Sequence, residues 1–218
     1  EDIKLYGLSM NTNVPGGWSI GAEYSFRENM PLQWNAFELL YGGVLAGQEA
    51  DGTPTVGLPG NASKFYQQRK SEGLAITPGN EIPGYDRFKV SQAQATFIKF
   101  FDRVLGASRL SFVGEVGMTY VHDLPEKSEA RYGRSGIYGI GDYEAQAINK
   151  SGAQSVTCGS TTDSAYSTFV NINPSNCTND GFVSDFAWGY RMRGTLTYNN
   201  AFMGATLKPS LSWSHDVN

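Results

Sequence analysis

The chain has almost none of the residues from which metal sites and catalytic centres are usually built. Only two of its 218 residues are cysteine and two are histidine. Cys158 and Cys177 cannot complete a four-ligand zinc site, and neither histidine lies near them in sequence. Charged residues make up only 17%, with a net charge of −4 and a pI near 5.2. That balance argues against a nucleic-acid partner, which needs a basic surface for phosphate. No Walker loop and no dinucleotide fingerprint occurs, and nothing calls for a cofactor. No run of about eighteen apolar residues exists, which excludes a transmembrane helix. Apolar residues are 40% and mean hydropathy is −0.35. Initiator methionine and signal peptide are both missing, so the expectation is a mature, trimmed or partial chain.

What is present is glycine, 26 residues, and aromatics at 13%. They sit on a period of two. Even positions from Phe186 to Tyr198 read Phe, Trp, Tyr, Met, Gly, Leu, Tyr, while the odd positions read Ala, Gly, Arg, Arg, Thr, Thr. After Asn199-Asn200 the alternation resumes through Leu207, Leu211 and Trp213. A period of two predicts strands, and the Asn-Asn link predicts a tight hairpin. The same reading places strands over about 3–13, 18–27, 87–101, 109–123, 185–199 and 201–215, with long excursions over 28–86 and 124–184.

Short and long links therefore alternate strictly, as in outer-membrane barrels, where tight turns lie on the periplasmic side and long loops outside. A bilayer offers no water to backbone N–H and C=O groups, so a sheet spans it only by closing on itself. Each span needs about 9–11 tilted residues, and these arms supply that length. The expectation is an all-β, antiparallel transmembrane β-barrel. Residues 1–218 form part of a single barrel domain, because six strands fall short of the smallest bacterial barrels, which have about eight. Aromatic girdles are expected from Trp18, Phe101 and Phe202 near the short turns. Tyr24, Phe26, Tyr120, Phe186, Trp188 and Trp213 would form the girdle towards the long loops.

Within the first excursion, Gln33–Tyr41 has apolar residues at helical spacing and would end at Gly42-Gly43. It reads either as a loop helix packing on its neighbours or as a lumen plug or lid. Cys158 and Cys177 lie in a Ser/Thr/Asn-rich stretch. A loop-closing disulfide in an oxidising compartment is the simpler reading, two free thiols the other.

Several segments resemble one known family: IKLYGLSMNTNVPGGWSIGAEYSFREN, MPLQ, GYDR with VSQAQ, GASRLSFVGEVG and LKPSLSWSHDV. They are similar to the Gram-negative family catalogued as domain of unknown function 1302, whose longer members are expected to be outer-membrane barrels. The likeness covers the strands and short turns, and the motifs are specific as a set. It implies a bacterial outer-membrane location, with membrane lipid as surroundings. It also tilts the reading towards transport beside a periplasmic or lipoprotein partner of a lipid or hydrophobic-compound export system. It carries over no catalytic residues.

The polar faces of the strands carry Glu23, Arg27, Gln92, Gln94, Glu115, Arg191, Arg193 and Lys208 as lumen-lining candidates. Two readings stand: mutual neutralisation that braces the wall, and a substrate-selecting ring. No catalytic site is expected. His122 and His215 share the outward parity of Tyr120 and Trp213, which suits an interfacial role. Gly17-Trp18-Ser19-Ile20-Gly21 fits GxSxG, but Ser19 opens a strand rather than a nucleophile elbow. Asp142 and Glu144 match no calcium loop and read as solvated acids. The function expected is a channel or transporter for small hydrophobic or amphipathic molecules, not an enzyme. The alternative is a structural or surface-interaction protein with a plugged lumen.

Overall fold

Strict alternation gives each arm a polar and an apolar side, and a backbone with that pattern is satisfied only by pairing edge to edge. The computed structural model describes residues 3–50, 63–74, 77, 79–139, 141, 144–149, 152–157 and 177–217. At 45, 47–50, 144–149 and 152–157 it describes the backbone alone. The elements are β1 (Leu5–Val14), β2 (Trp18–Gln33), α1 (Ala36–Ala50), α2 (Lys64–Ser71), β3 (Tyr85–Asp102), β4 (Arg109–Val121), a 3-10 turn at Gly136–Tyr138, β5 (Glu144–Asn149), β6 (Gly152–Thr157), β7 (Phe186–Phe202), β8 (Ala205–Leu207) and β9 (Ser210–Val217). The described residues are mostly antiparallel sheet. No helix among them is long and apolar enough to cross a membrane.

The chain divides into two compact units. The first, from 1–30, 88–124 and 184–218, holds the main sheet, in which β1, β2, β3, β4 and β7 are neighbours in that order. Both β8 and β9 pair with β7. Among the described residues β1 pairs only with β2 and β9 only with β7, so the sheet is open. Register is continuous: Ser9 faces Glu23, Gln94 faces Gly117, Glu115 faces Arg191, and Arg191 faces Ser214.

The last hairpin differs from the expectation. β7 runs on through Asn199-Asn200 to Phe202, and the chain reverses at Met203-Gly204, where Phe202 pairs with Ala205. Met203 has φ 48° and Gly204 φ 86°, the two positive values that a tight type I′ reversal requires. Asn200, at φ 55°, lies instead where the register shifts between Tyr198 and Phe202. Asparagine tolerates the left-handed region, so it serves a bulge as well as a turn. The return arm is also split, into β8 and β9 with Lys208-Pro209 between them. Proline has no N–H to give the ladder, and its carbonyl takes the bond from Leu196 N–H at 3.0 Å.

The second unit, 31–87 with 125–183, is built from both long excursions. It is packed around buried Trp34, Phe65, Tyr66, Tyr132 and Phe182. Trp34 meets Phe65 and Tyr132 at ring separations of 5.5 and 5.1 Å. Asn35 caps α1 by accepting from the Phe37 N–H at 3.0 Å. α1 does not stop at Gly42-Gly43 as expected. A Cβ on Gly42 would lie 2.9 Å from Phe65 Cδ1 and 3.4 Å from Ser63 Oγ. Gly42 therefore permits the close approach of α2, and is not a helix stop. The bare glycine leaves room for Glu38, fully buried, to reach the start of α2. Its carboxylate accepts from Lys64 N–H at 2.6 Å, and Ser63 Oγ caps the helix by accepting from Tyr66 N–H at 3.1 Å.

Candidate functional site

Pairing fixes which side chains share a face, and in the sheet unit polar residues of β1, β2, β3, β4, β7 and β9 meet on one face, with Ile98, Phe100 and Val113 beside them. β1 and β2 bring Ser9 beside Glu23 and Gly7 beside Ser25. β3 and β4 bring Gln92 beside Thr119, with Gln92 Nε2 donating to Thr119 Oγ1 at 3.3 Å. β4 and β7 set Gly117 against Gly189, and β9 adds Asp216 opposite Gly189. These glycines carry no side chain into the face. A Cβ on Gly189 would come within 2.7 Å of Asp216 Oδ1. The result is a groove of about 780 Å³ whose lining includes Glu23, Arg27, Gln92, Gln94, Thr119 and Asp216.

The charges in it are distributed unevenly. Arg27 donates to Gln92 Oε1. Arg191 Nε lies 3.2 Å from Glu115 Oε1, an ion pair between neighbouring strands rather than across a closed lumen. Arg193 sits one pleat further along, with Nη2 3.4 Å from Ser210 Oγ. Glu23 and Asp216 make no ion pair or side-chain hydrogen bond among the described residues. The groove thus holds two uncompensated carboxylates alongside amides and hydroxyls. Such a surface can hold a water-filled passage or orient the polar end of a solute. Among the described residues lining it, no hydroxyl is hydrogen-bonded to a histidine or a carboxylate.

Of the expected lining residues, Glu23, Arg27, Gln92, Gln94, Glu115, Arg191 and Arg193 occupy this one face. Lys208 lies exposed in the link beside Pro209, at the position that the flanking register, Tyr198 with Leu207 and Thr195 with Ser210, sets opposite Thr197. Asp216 was missed, although it follows outward-facing His215 by one residue and so had to face inward. Ser19 donates to Asn13 Oδ1 across the β1–β2 ladder, with no base in reach, so its GxSxG context is a coincidence of strand spacing. Cys158 lies outside the described residues, and with it the expected bridge to Cys177. The acidic pair Asp142 and Glu144 likewise lies outside them, apart from the backbone of Glu144.

The opposite face is apolar and exposed. Leu8 is 75% accessible, Leu211 79% and Trp213 59%. Near the short turns Trp18 meets Phe101 and Phe112 edge-on at 6.3 and 6.1 Å, with the Lys99 ammonium 5.0 Å from the Trp18 ring. Trp213 pairs with Met192, in the half of β7 that begins at Phe186.

The family model described as protein of unknown function (DUF1302) matches residues 1–218. The chain belongs to that family. No curated protein and no solved structure matches it. In this DUF1302 member the segments that carry the family likeness also build the polar face: GAEYSFR supplies Glu23 and Arg27, VSQAQ supplies Gln92 and Gln94, and GEVG supplies Glu115.

A second polar cluster, in the excursion unit, was not legible as a site. Asp86 accepts from Trp34 Nε1 at 2.6 Å, Tyr132 Oη at 2.7 Å and Arg69 Nη2 at 2.6 Å. Burial, together with the Asp86 carboxylate, pushes the Tyr132 phenol well above its usual range. Burial also raises the Glu38 carboxyl, against the pull of Arg131, whose Nη1 stands 4.0 Å away. Both clusters tie segments distant in sequence.

Proposed function

We propose that this chain forms part of the wall of an outer-membrane β-barrel that passes small hydrophobic or amphipathic molecules, with the polar groove on its inner side. The observation that carries the reading is a sheet exposed on both faces, one polar and one apolar. Eight large apolar side chains, Tyr6, Leu8, Met10, Met118, Trp188, Met192, Leu211 and Trp213, are 39–79% exposed on the apolar face. Leaving them in water forgoes on the order of 10 kcal/mol at about 1.5–3 kcal/mol per fully buried side chain. That is comparable to the whole stability of a domain. Lipid is the solvent that removes this cost without covering the sheet with protein. Strands of 10, 16, 18, 13 and 17 residues (β1, β2, β3, β4 and β7) supply the length of a span. The open edges would be closed by further pairing. A periplasmic or lipoprotein partner would deliver or receive cargo.

The protein reconstituted in liposomes should admit small amphipathic solutes. Replacing Arg191 and Arg193 together by alanine should change solute preference at unchanged thermal stability. A folded protein that admits no tested solute would sink the transport reading. The alternative, a structural or surface-interaction protein with a plugged lumen, is favoured by the Arg191–Glu115 pair. It predicts that the same substitutions alter stability alone.

A further inference from the structure

The apolar face is not apolar throughout. Over β2, β3 and β4 it sinks into a trough of about 400 Å³, within the range of small-molecule sites, roughly 300–1,000 Å³. Its floor is Ala22, Ala93 and Ala95, and Met10 and Met118 wall it. Small residues make the trough because their neighbours in the ladder are large: Met10 pairs with Ala22 and Met118 with Ala93.

At its long-loop end the trough runs into a chain of polar atoms. Tyr24 Oη lies 3.1 Å from Ser91 Oγ, and Ser91 Oγ lies 2.8 Å from His122 Nε2. The His122 ring is held edge-on by Tyr120 at 4.7 Å and Phe26 at 6.0 Å. Lys89, exposed and two residues before Ser91 on the same side of β3, accepts the His122 backbone N–H through its carbonyl at 2.9 Å. Glu28 lies at the same rim, where its N–H donates to the Lys4 carbonyl at 3.2 Å. The Lys89 ammonium makes no ion pair among the described residues.

We infer that this trough and its polar end form a binding seat for a single-tailed anionic amphiphile. The tail lies over Ala22, Ala93 and Ala95, and the anionic head lies against Lys89, His122, Ser91 and Tyr24. From Ala95 to Ser91 the trough follows four residues of strand, about 13 Å of tail at roughly 3.3 Å per residue. A phosphate or carboxylate head accepts charge-assisted hydrogen bonds from Lys89 and His122 and neutral ones from Ser91 and Tyr24. The Ser91–His122 contact does not make a hydrolase. His122 Nδ1 has no partner among the described residues, so no carboxylate orients the ring as nucleophile activation requires. The seat is on the face opposite the groove and needs no passage of solute through the sheet.

The test is photolabelling of the full chain in nanodiscs of zwitterionic lipid, with peptides mapped by mass spectrometry. One probe is a diazirine-bearing lysophosphatidic acid, the other a monoacylglycerol with the same tail. Label should concentrate on 91–95 and 116–118, with the phosphate probe favoured by about fivefold, which is about 1 kcal/mol where 1.4 kcal/mol is tenfold. Ala95→Phe, which fills the trough at a position facing outward, should abolish that label. Lys89→Gln with His122→Gln should make the two probes equal. Label spread evenly over β7 and β9, equal probes on the unaltered protein, or label unchanged by Ala95→Phe would overturn the inference. So would release of fatty acid that is lost in Ser91→Ala, which would make the cluster a hydrolytic site. None of these outcomes alters the solute passage measured for the groove.

Discussion

Replacing Asp86 by alanine should unfold the excursion unit at far lower denaturant while leaving the sheet intact. Asp86 is one of the two carboxylates bound to Arg69, whose side chain is 6% exposed, and it also accepts hydrogen bonds from Trp34 Nε1 and Tyr132 Oη. The other carboxylate, Glu72, holds Arg69 Nη1 at 3.0 Å but is 41% exposed. Breaking a buried ion pair from one side costs about 3–5 kcal/mol. Each neutral donor stranded by the same change costs about 1–3 kcal/mol more. These losses share one carboxylate and do not add fully, and Asp86 itself is 21% exposed, so a total of about 4 kcal/mol is expected. With a urea dependence of about 1–3 kcal/mol per molar, the midpoint should fall by roughly 1.5–4 M. The assay is urea unfolding followed by Trp34 fluorescence, with the other tryptophans replaced by phenylalanine. Asp86→Asn should lie between the two, since it keeps an acceptor and loses the charge. A loss under about 1 kcal/mol for Asp86→Ala, typical of a solvated surface pair, would refute the reasoning.

The same assay reads the contact between α1 and α2. Gly42→Ala should cost about 1–3 kcal/mol by overpacking against Phe65, whereas Gly43→Ala, with open space at its Cβ, should stabilise by about 0.5–1 kcal/mol. Glu38 gives a pH dependence of definite sign. Burial raises its folded-state pKa above the ordinary 4.5, so the stability it contributes is fully present below that value and is lost as pH rises through the folded one. Urea midpoints should therefore fall as pH climbs from 4.5, and Glu38→Gln should flatten that fall. Intact-mass measurement should find no alkylation of Cys158 and Cys177 until reduction, and reduction should cost about 3 kcal/mol if the bridge closes its short loop.

The sheet could be read from sequence because each strand is solvated differently on its two sides, which writes a period of two into the residues. Glu23, Gln94, Glu115 and Arg191 come together because alternation fixes parity, and parity fixes the face. Asp216 obeys the same rule, opposite Gly189. The reversal at Met203-Gly204 was hidden by Asn199-Asn200, a better turn pair by composition, which the fold uses for a bulge. The excursion unit was barely legible. Its core joins Trp34, Phe65, Asp86 and Tyr132 from four separate segments, and no local period announces contacts made at that distance. Gly42 read as a helix stop because the partner that requires its bareness, Phe65, lies on another helix.

The central claim is that one face of this sheet meets lipid and the other meets water. Single cysteines placed along β7 at 190, 191, 192 and 193, in a background without Cys158 and Cys177, test it most directly. In native membranes, positions 191 and 193 should react with a small charged maleimide. Positions 190 and 192 should resist it, and a nitroxide placed there should be relaxed by oxygen dissolved in lipid. Equal maleimide reactivity at all four positions, or protection at 191 and 193 with exposure at 190 and 192, would contradict the account.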